Sequence, residues 1–164
     1  MIPSKAIIDF IHNVVDGHNI AVISLPRTGS KSLVNICANL TNKKIAYGIL
    51  HKPDFLGKQW SLNEVEDIVF SENYILHGHW HTIELLPDSI QTFVKTRYKI
   101  LTIDRDPNYI KNSIKNLVKN KLSIDVDDFI LENKISHIFD VSFGIRDQWP
   151  VHHFFEFEKL YHKL

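Results

Sequence analysis

A chain of 164 residues, 44% hydrophobic and 23% charged, carries enough apolar side chain for one sizeable core and is not composed like a disordered tail. Nineteen basic residues balance nineteen acidic ones, so the broad basic excess of a general nucleic-acid binder is excluded and only a local basic pocket remains open. Cys37 is the one cysteine, which excludes a disulfide framework and a cysteine-based zinc centre.

The N-terminal stretch MIPSKAIIDFIHNVV lacks the continuous apolar core and cleavage site of a signal peptide, and no segment reaches transmembrane length. A cytoplasmic protein that does not engage membranes is the expectation. Ser4 is placed to cap a helix over 4–15, with Ile7, Ile11, Val14 and Val15 on one face and Asp16-Gly17 ending it. NIAVIS at 19–24 reads as a strand buried on both faces. A helix is expected from about Ser30, with Leu33, Ile36, Cys37 and Leu40 at helical spacing, which makes Cys37 a buried structural thiol. KIAYGI at 44–49 reads as a second strand, residues 50–60 as a loop, and SLNEVEDIVF as a helix with Ser61 and Glu64 in a capping box. NYILHGHWH begins as a strand that Gly78 is expected to break, and a helix is expected to start near Pro87 or Asp88. YKILTID at 98–104 carries the strongest strand signal. An amphipathic helix follows, with Asp106 as N-cap, Pro107 in its first turn, and Ile110, Ile114, Leu117 and Val118 facing inward. Strands alternating with helices predict a single α/β domain over 1–164, a three-layer sandwich with a central parallel sheet.

Three stretches carry chemistry. The loop LPRTGSK, between a parallel strand and a helix N-terminus, is suited to hold an anion: the helix end presents backbone N–H groups, Thr28, Ser30 and Ser32 add hydroxyls, and Arg27 and Lys31 add charge around Gly29. It is not a Walker A loop, because Ser24 stands where the first glycine belongs and Ser30 separates Gly29 from Lys31. An ordinary strand-to-helix turn with solvated cations is the rival account. In TIDRDPNYIKNS, Arg105 directly follows a strand end, where open α/β sheets bind ligands, and Ser113 lies two turns along the helix. Its rival account is an Arg105–Asp106 pair or a solvated side chain. In HGHWHT, His77, His79 and His81 are open to a zinc site, to a neutral histidine acting as general base, or to a polar surface loop. Trp60, Trp80 and Trp149 read as core or rim packing before they read as stacking platforms, and Lys52 and Lys58 as loop cations able to meet an anionic acceptor.

Taken in order, these stretches resemble the sulfotransferases that use 3′-phosphoadenosine 5′-phosphosulfate (PAPS), and most closely the Golgi-type branch that includes the heparan sulfate 2-O-sulfotransferases. The likeness rests on PRTGSKS at 26–32, LHGHW at 76–80 and IDRDPNYIKNS at 103–113, and spans roughly residues 19–118. It implies a P-loop-NTPase-like fold, PAPS as donor with PAP as product, no metal, and a small-molecule or carbohydrate hydroxyl as acceptor, with neither nucleic acid nor membrane as partner. By the same resemblance, residues 27–32 hold the 5′-phosphosulfate, Arg105 and Ser113 hold the 3′-phosphate, His79 is the catalytic base, His77 supports it, and Arg27 or Lys31 stabilises the leaving group.

The chain departs from the family pattern in having Arg27 where the 2-O branch has Lys, Lys31 where Thr is usual, and no second Arg across Tyr109 to Lys111. It is also shorter than the usual catalytic domain, and FFEFEKLYHKL resembles the family's aromatic segment beyond the last strand, so a compact fold is expected. Two other classes stay open. One is a nucleotide phosphotransferase, with Asp104 at the end of KILTID holding Mg²⁺ as a Walker B carboxylate would. The other is a binder of PAP or another nucleotide without turnover.

Overall fold

The computed structural model describes residues 3–50 and 60–160. In chain order the elements are α1 (Lys5–Val15), β1 (Ile20–Ser24), α2 (Ser30–Thr41), β2 (Lys44–Ala46), α3 (Leu62–Ser71), β3 (Tyr74–His79), α4 (Trp80–Ile83), α5 (Asp88–Arg97), β4 (Lys99–Asp104), α6 (Pro107–Asn116), α7 (Asp128–Arg146), β5 (Val151–Glu156) and α8 (Phe157–Leu160). The five strands form one parallel sheet in the order β2-β3-β1-β4-β5. Alternation along the central strands fills both faces. Ile20, Val22, Ile75, Leu101 and Ile103 pack with Ile11, Val14, Leu33 and Cys37 of α1 and α2. Ala21, Ile23, Leu76 and Ile100 pack with Val65, Val69, Ile90 and Val94 of α3 and α5, together with Trp80 and Trp149. Helices on both sides of a parallel sheet make the anticipated three-layer α/β sandwich.

Local signals set the helix starts. Ser4 Oγ accepts from the Ile7 N–H, and Ser61 and Glu64 close the expected capping box at 3.1 and 3.3 Å. The Asp106 carboxylate accepts from the Asn108 N–H at 2.9 Å with Pro107 in the first turn. Cys37 is buried, and burial pushes its thiol up to about 12, which removes it from thiolate chemistry. Trp80 and Trp149 are core residues whose rings meet edge to face. Among the described residues no helix is long and apolar enough to cross a membrane.

Four expectations need correction. Gly78 does not break β3, which runs unbroken to His79 with Gly78 paired to Ile23. A Cβ at Gly78 would lie 2.4 Å from Leu50 Cβ and 2.7 Å from its carbonyl oxygen, so the glycine permits a close backbone approach within the strand. The second strand covers only Lys44–Ala46, because the chain turns at Gly48 with φ +68°. The FFEFE segment does not lie beyond the last strand; its first three residues form the second half of that strand, β5, and its last two open α8. The helix after β4 passes into a π-helical turn over Leu117–Lys121, so its inward stripe fades: Ile110 is buried, while Ile114 and Val118 are half-buried against Leu131, Ile135 and Phe139 of α7. Helix α7 itself has no counterpart among the sequence-based expectations. Lys52 and Lys58 lie outside the described residues.

The β4–β5 pairing contains a bulge with a titratable plug. Val151 faces Ile100 and His153 faces Leu101, which leaves His152 as the extra residue. His152 Nδ1 accepts the Ile100 N–H at 2.9 Å and replaces the carbonyl that the bulge removes. Partial burial and the charge of Lys99 hold His152 below the ordinary histidine value, and His153 is lowered for the same reasons. A group with a depressed folded pKa is held neutral by folding, so its contribution is complete above about 6.5 and is lost as pH falls through the folded value. The melting temperature is therefore expected to drop between pH 7.5 and pH 5. His152→Asn, which keeps an acceptor that does not titrate, should flatten the drop in a thermal-unfolding series; an unchanged slope would rule the bulge out as its source.

Candidate functional site

Strands β3, β1 and β4 are adjacent, and their carboxyl ends bring His79, the Leu25–Gly29 loop and Arg105 to one edge of the sheet. His79 stands in register with Ser24. Such an edge is where parallel α/β sheets hold ligands. Within the loop, Arg27 has φ +64° and Gly29 φ +87°, so a side-chain-bearing residue carries left-handed strain beside a glycine that does not. Thr28 builds this turn from inside: its hydroxyl donates to Ser24 Oγ at 3.2 Å or to the Leu25 carbonyl at 3.1 Å. The Thr28 side chain thus braces the loop, where the sequence placed it toward an anion.

Ser30 is also turned inward, at the first position of α2, with its Oγ 2.9 Å from His77 Nε2. His77 is 4% exposed, and the Gly48 N–H donates to its Nδ1 at 3.0 Å. An Nδ1 that accepts cannot carry a proton, so the ring is neutral with its hydrogen on Nε2, donating to Ser30. His77 therefore ties β3 to the start of α2 and to the Gly48 turn. The half-buried His79 ring meets His77 edge to face at 5.4 Å and stacks with His81, on α4, at 5.9 Å. Among the described residues no group of three His, Cys, Asp or Glu side chains is placed to hold a metal ion.

The second predicted stretch meets the first through Arg27, whose Nε donates to Ser113 Oγ at 2.9 Å across 86 residues of sequence. Arg105 is stacked: its guanidinium carbon lies 3.5 Å from the centre of the Tyr109 ring and 3.7 Å from that of Phe157. Asp106, the anticipated rival partner of Arg105, turns its carboxylate to the α6 N-terminus, while its own N–H donates to Glu158 at 3.1 Å. Ile110, which falls where the family's second Arg would be, is in the core beside Leu25. Lys31 is exposed and reaches over the Tyr47 ring at 5.8 Å. Ser32 donates its N–H to the Gly29 carbonyl at 3.1 Å.

Asp104 sits at the strand end as the Walker B comparison required, but its carboxylate takes two bonds from Arg146 Nη1 at 3.0 and 3.2 Å. Burial raises the Asp104 carboxyl above its usual range, against the opposing pull of Arg146. No local pattern points to Arg146 here, nor to Phe157, whose ring lies where a Gly29 side chain would be, 2.5 Å from the ideal Cβ. Tyr109 could have been noticed: it stands four residues after Arg105, the spacing at which side chains at a helix start meet.

No family model and no curated protein matches the chain. Solved structures do match in fold. The YorR protein of Bacillus subtilis, in complex with phosphorylated GDP, superposes with a TM-score of 0.54 at 13% identity over 84% of each chain. A shikimate kinase from Bacteroides thetaiotaomicron gives 0.54 at 11% identity over 88% of each chain. Together with the sheet order, these matches establish the P-loop-like α/β fold.

Proposed function

We propose that the chain is a sulfotransferase that moves a sulfuryl group from PAPS to a hydroxyl acceptor. The observation that carries this reading is the Arg27–Ser113 hydrogen bond, which joins the anion loop to the helix behind Arg105. A donor with separate phosphates at its 5′ and 3′ positions calls for two anion subsites side by side, and these two segments offer them. The donor set fits: the α2 N-terminus with Arg27, Lys31 and Ser32 would hold the 5′-phosphosulfate, and Arg105 with Ser113 the 3′-phosphate. Bound PAPS supplies the activated sulfuryl group. His79 takes the proton from the acceptor hydroxyl as its oxygen attacks, and the cations of Arg27 and Lys31 stabilise the charge left on the departing phosphate oxygen. His77, fixed by Gly48 and Ser30, keeps the start of α2 in place beside His79.

A nucleotide phosphotransferase is the second reading, and the comparisons taken alone favour it, since one match is named a kinase and another is a complex with phosphorylated GDP. The described residues offer that chemistry less. Ser30 follows Gly29 where a Walker lysine would, and Asp104 is engaged by Arg146. Thermal-shift measurements with PAP and with ATP–Mg²⁺ separate the readings. PAP at a hundredfold excess over its Kd should stabilise by about 2.7 kcal/mol, a rise of roughly 5–10 °C for a chain of this size. Stabilisation by ATP–Mg²⁺ and not by PAP would overturn the PAPS reading.

A further inference from the structure

We infer that Tyr109 and Phe157 are positioning residues that make Arg105 selective for a 3′-phosphorylated nucleotide; this rests on the PAPS reading above. The guanidinium lies between two rings, 3.5 Å from the Tyr109 centroid and 3.7 Å from that of Phe157. A guanidinium carries its N–H donors in its own plane, so rings on both sides leave the edge as the route by which an anion gains hydrogen bonds. Its flexible side chain is thereby held in one orientation before a ligand arrives, and less ordering is left for binding to cost. The clamp closes from two distant parts of the chain. Tyr109 stands on the first turns of α6, and Phe157 opens α8, anchored by the bond from the Asp106 N–H to Glu158 and by the contact of its ring with Gly29. Phe157 thus touches the Arg105 side and the 5′-phosphate loop at once, and sets the spacing between the two subsites.

Calorimetric titration of PAP and of adenosine 5′-phosphate, which lacks the 3′-phosphate, tests this in wild type, Tyr109→Leu, Tyr109→Phe and Phe157→Leu. Tyr109 is 46% exposed, so Tyr109→Leu should fold. It should lower PAP affinity about three- to fivefold, the loss expected from one partly exposed cation–π contact, and leave adenosine 5′-phosphate unaffected, while Tyr109→Phe keeps the wild-type preference. Phe157→Leu should weaken both nucleotides, because it also touches the Gly29 loop. Equal losses for both nucleotides in Tyr109→Leu, or an undiminished preference for PAP, would overturn the assignment and leave the PAPS reading standing. A wild type that binds PAP no better than adenosine 5′-phosphate would overturn the reading of Arg105 as a 3′-phosphate site, and this inference with it.

Discussion

Replacing His79 with alanine is expected to lower sulfuryl transfer by about 10²–10⁴-fold, the usual worth of a positioned general base, while PAP binds as before. The separation follows from where the two groups sit. His79 ends β3, half-buried and in register with Ser24, whereas the donor-holding residues belong to the β1–α2 loop and to α6. Transfer from labelled PAPS to a panel of hydroxyl acceptors, run beside PAP titration, reads both quantities. Activity untouched by the substitution would reject His79 as the base. A wild type that binds PAP firmly and transfers to no acceptor would favour the non-catalytic alternative. His77→Ala should behave differently from His79→Ala, because it leaves the buried Ser30 hydroxyl and the part-buried Gly48 N–H without their histidine partner. The loss at buried Ser30 costs about 1–3 kcal/mol of stability and the loss at Gly48 less, so the fold should weaken together with turnover.

Gly29→Ala carries the second large effect. The residue has φ +87°, and its new Cβ would lie 2.5 and 2.6 Å from two carbons of the Phe157 ring. Left-handed backbone costs a side-chain-bearing residue about 1–2 kcal/mol, and overpacking about 1–3 kcal/mol more. Unfolding by denaturant should register the sum, with loss of the PAP-dependent rise in melting temperature. A double substitution with Phe157→Ala divides the two costs: it should recover the steric part and leave the backbone part. Full recovery would mean that the left-handed conformation at Gly29 costs nothing, and no recovery would mean that Phe157 is not the obstacle.

Much of the fold was legible because its signals are local. Ser4, Ser61 with Glu64, and Asp106 with Pro107 mark helix starts through hydrogen bonds that span two or three residues. The apolar runs IAVIS and KILTID mark central strands because both faces are covered and no polar alternation is needed. Helix α7 was not legible. Leu131, Ile135, Phe139 and Ile145 are buried along it while Phe129 is 72% exposed and Ile130 also faces solvent, so its apolar pattern lacks a single clean stripe. Gly78 was misread as a break because the approach of Leu50 that it accommodates is a tertiary contact.

For the candidate site, the sequence alone determined which residue types stand at the ends of β1, β3 and β4: the loop with Arg27 and Lys31, the histidine pair, and Arg105 at the head of α6. A parallel sheet sends those ends to one edge whatever the side chains do. Only the tertiary structure decided what each side chain does there. Thr28 and Ser30 turn inward to Ser24, Leu25 and His77; Asp104 is taken by Arg146; Arg27 reaches Ser113; and Arg105 is clamped by Phe157 from the far end of the chain. Most of these contacts join residues 42 to 86 apart in sequence. A hydroxyl or a guanidinium has several partners within its chemical reach, and only packing selects among them.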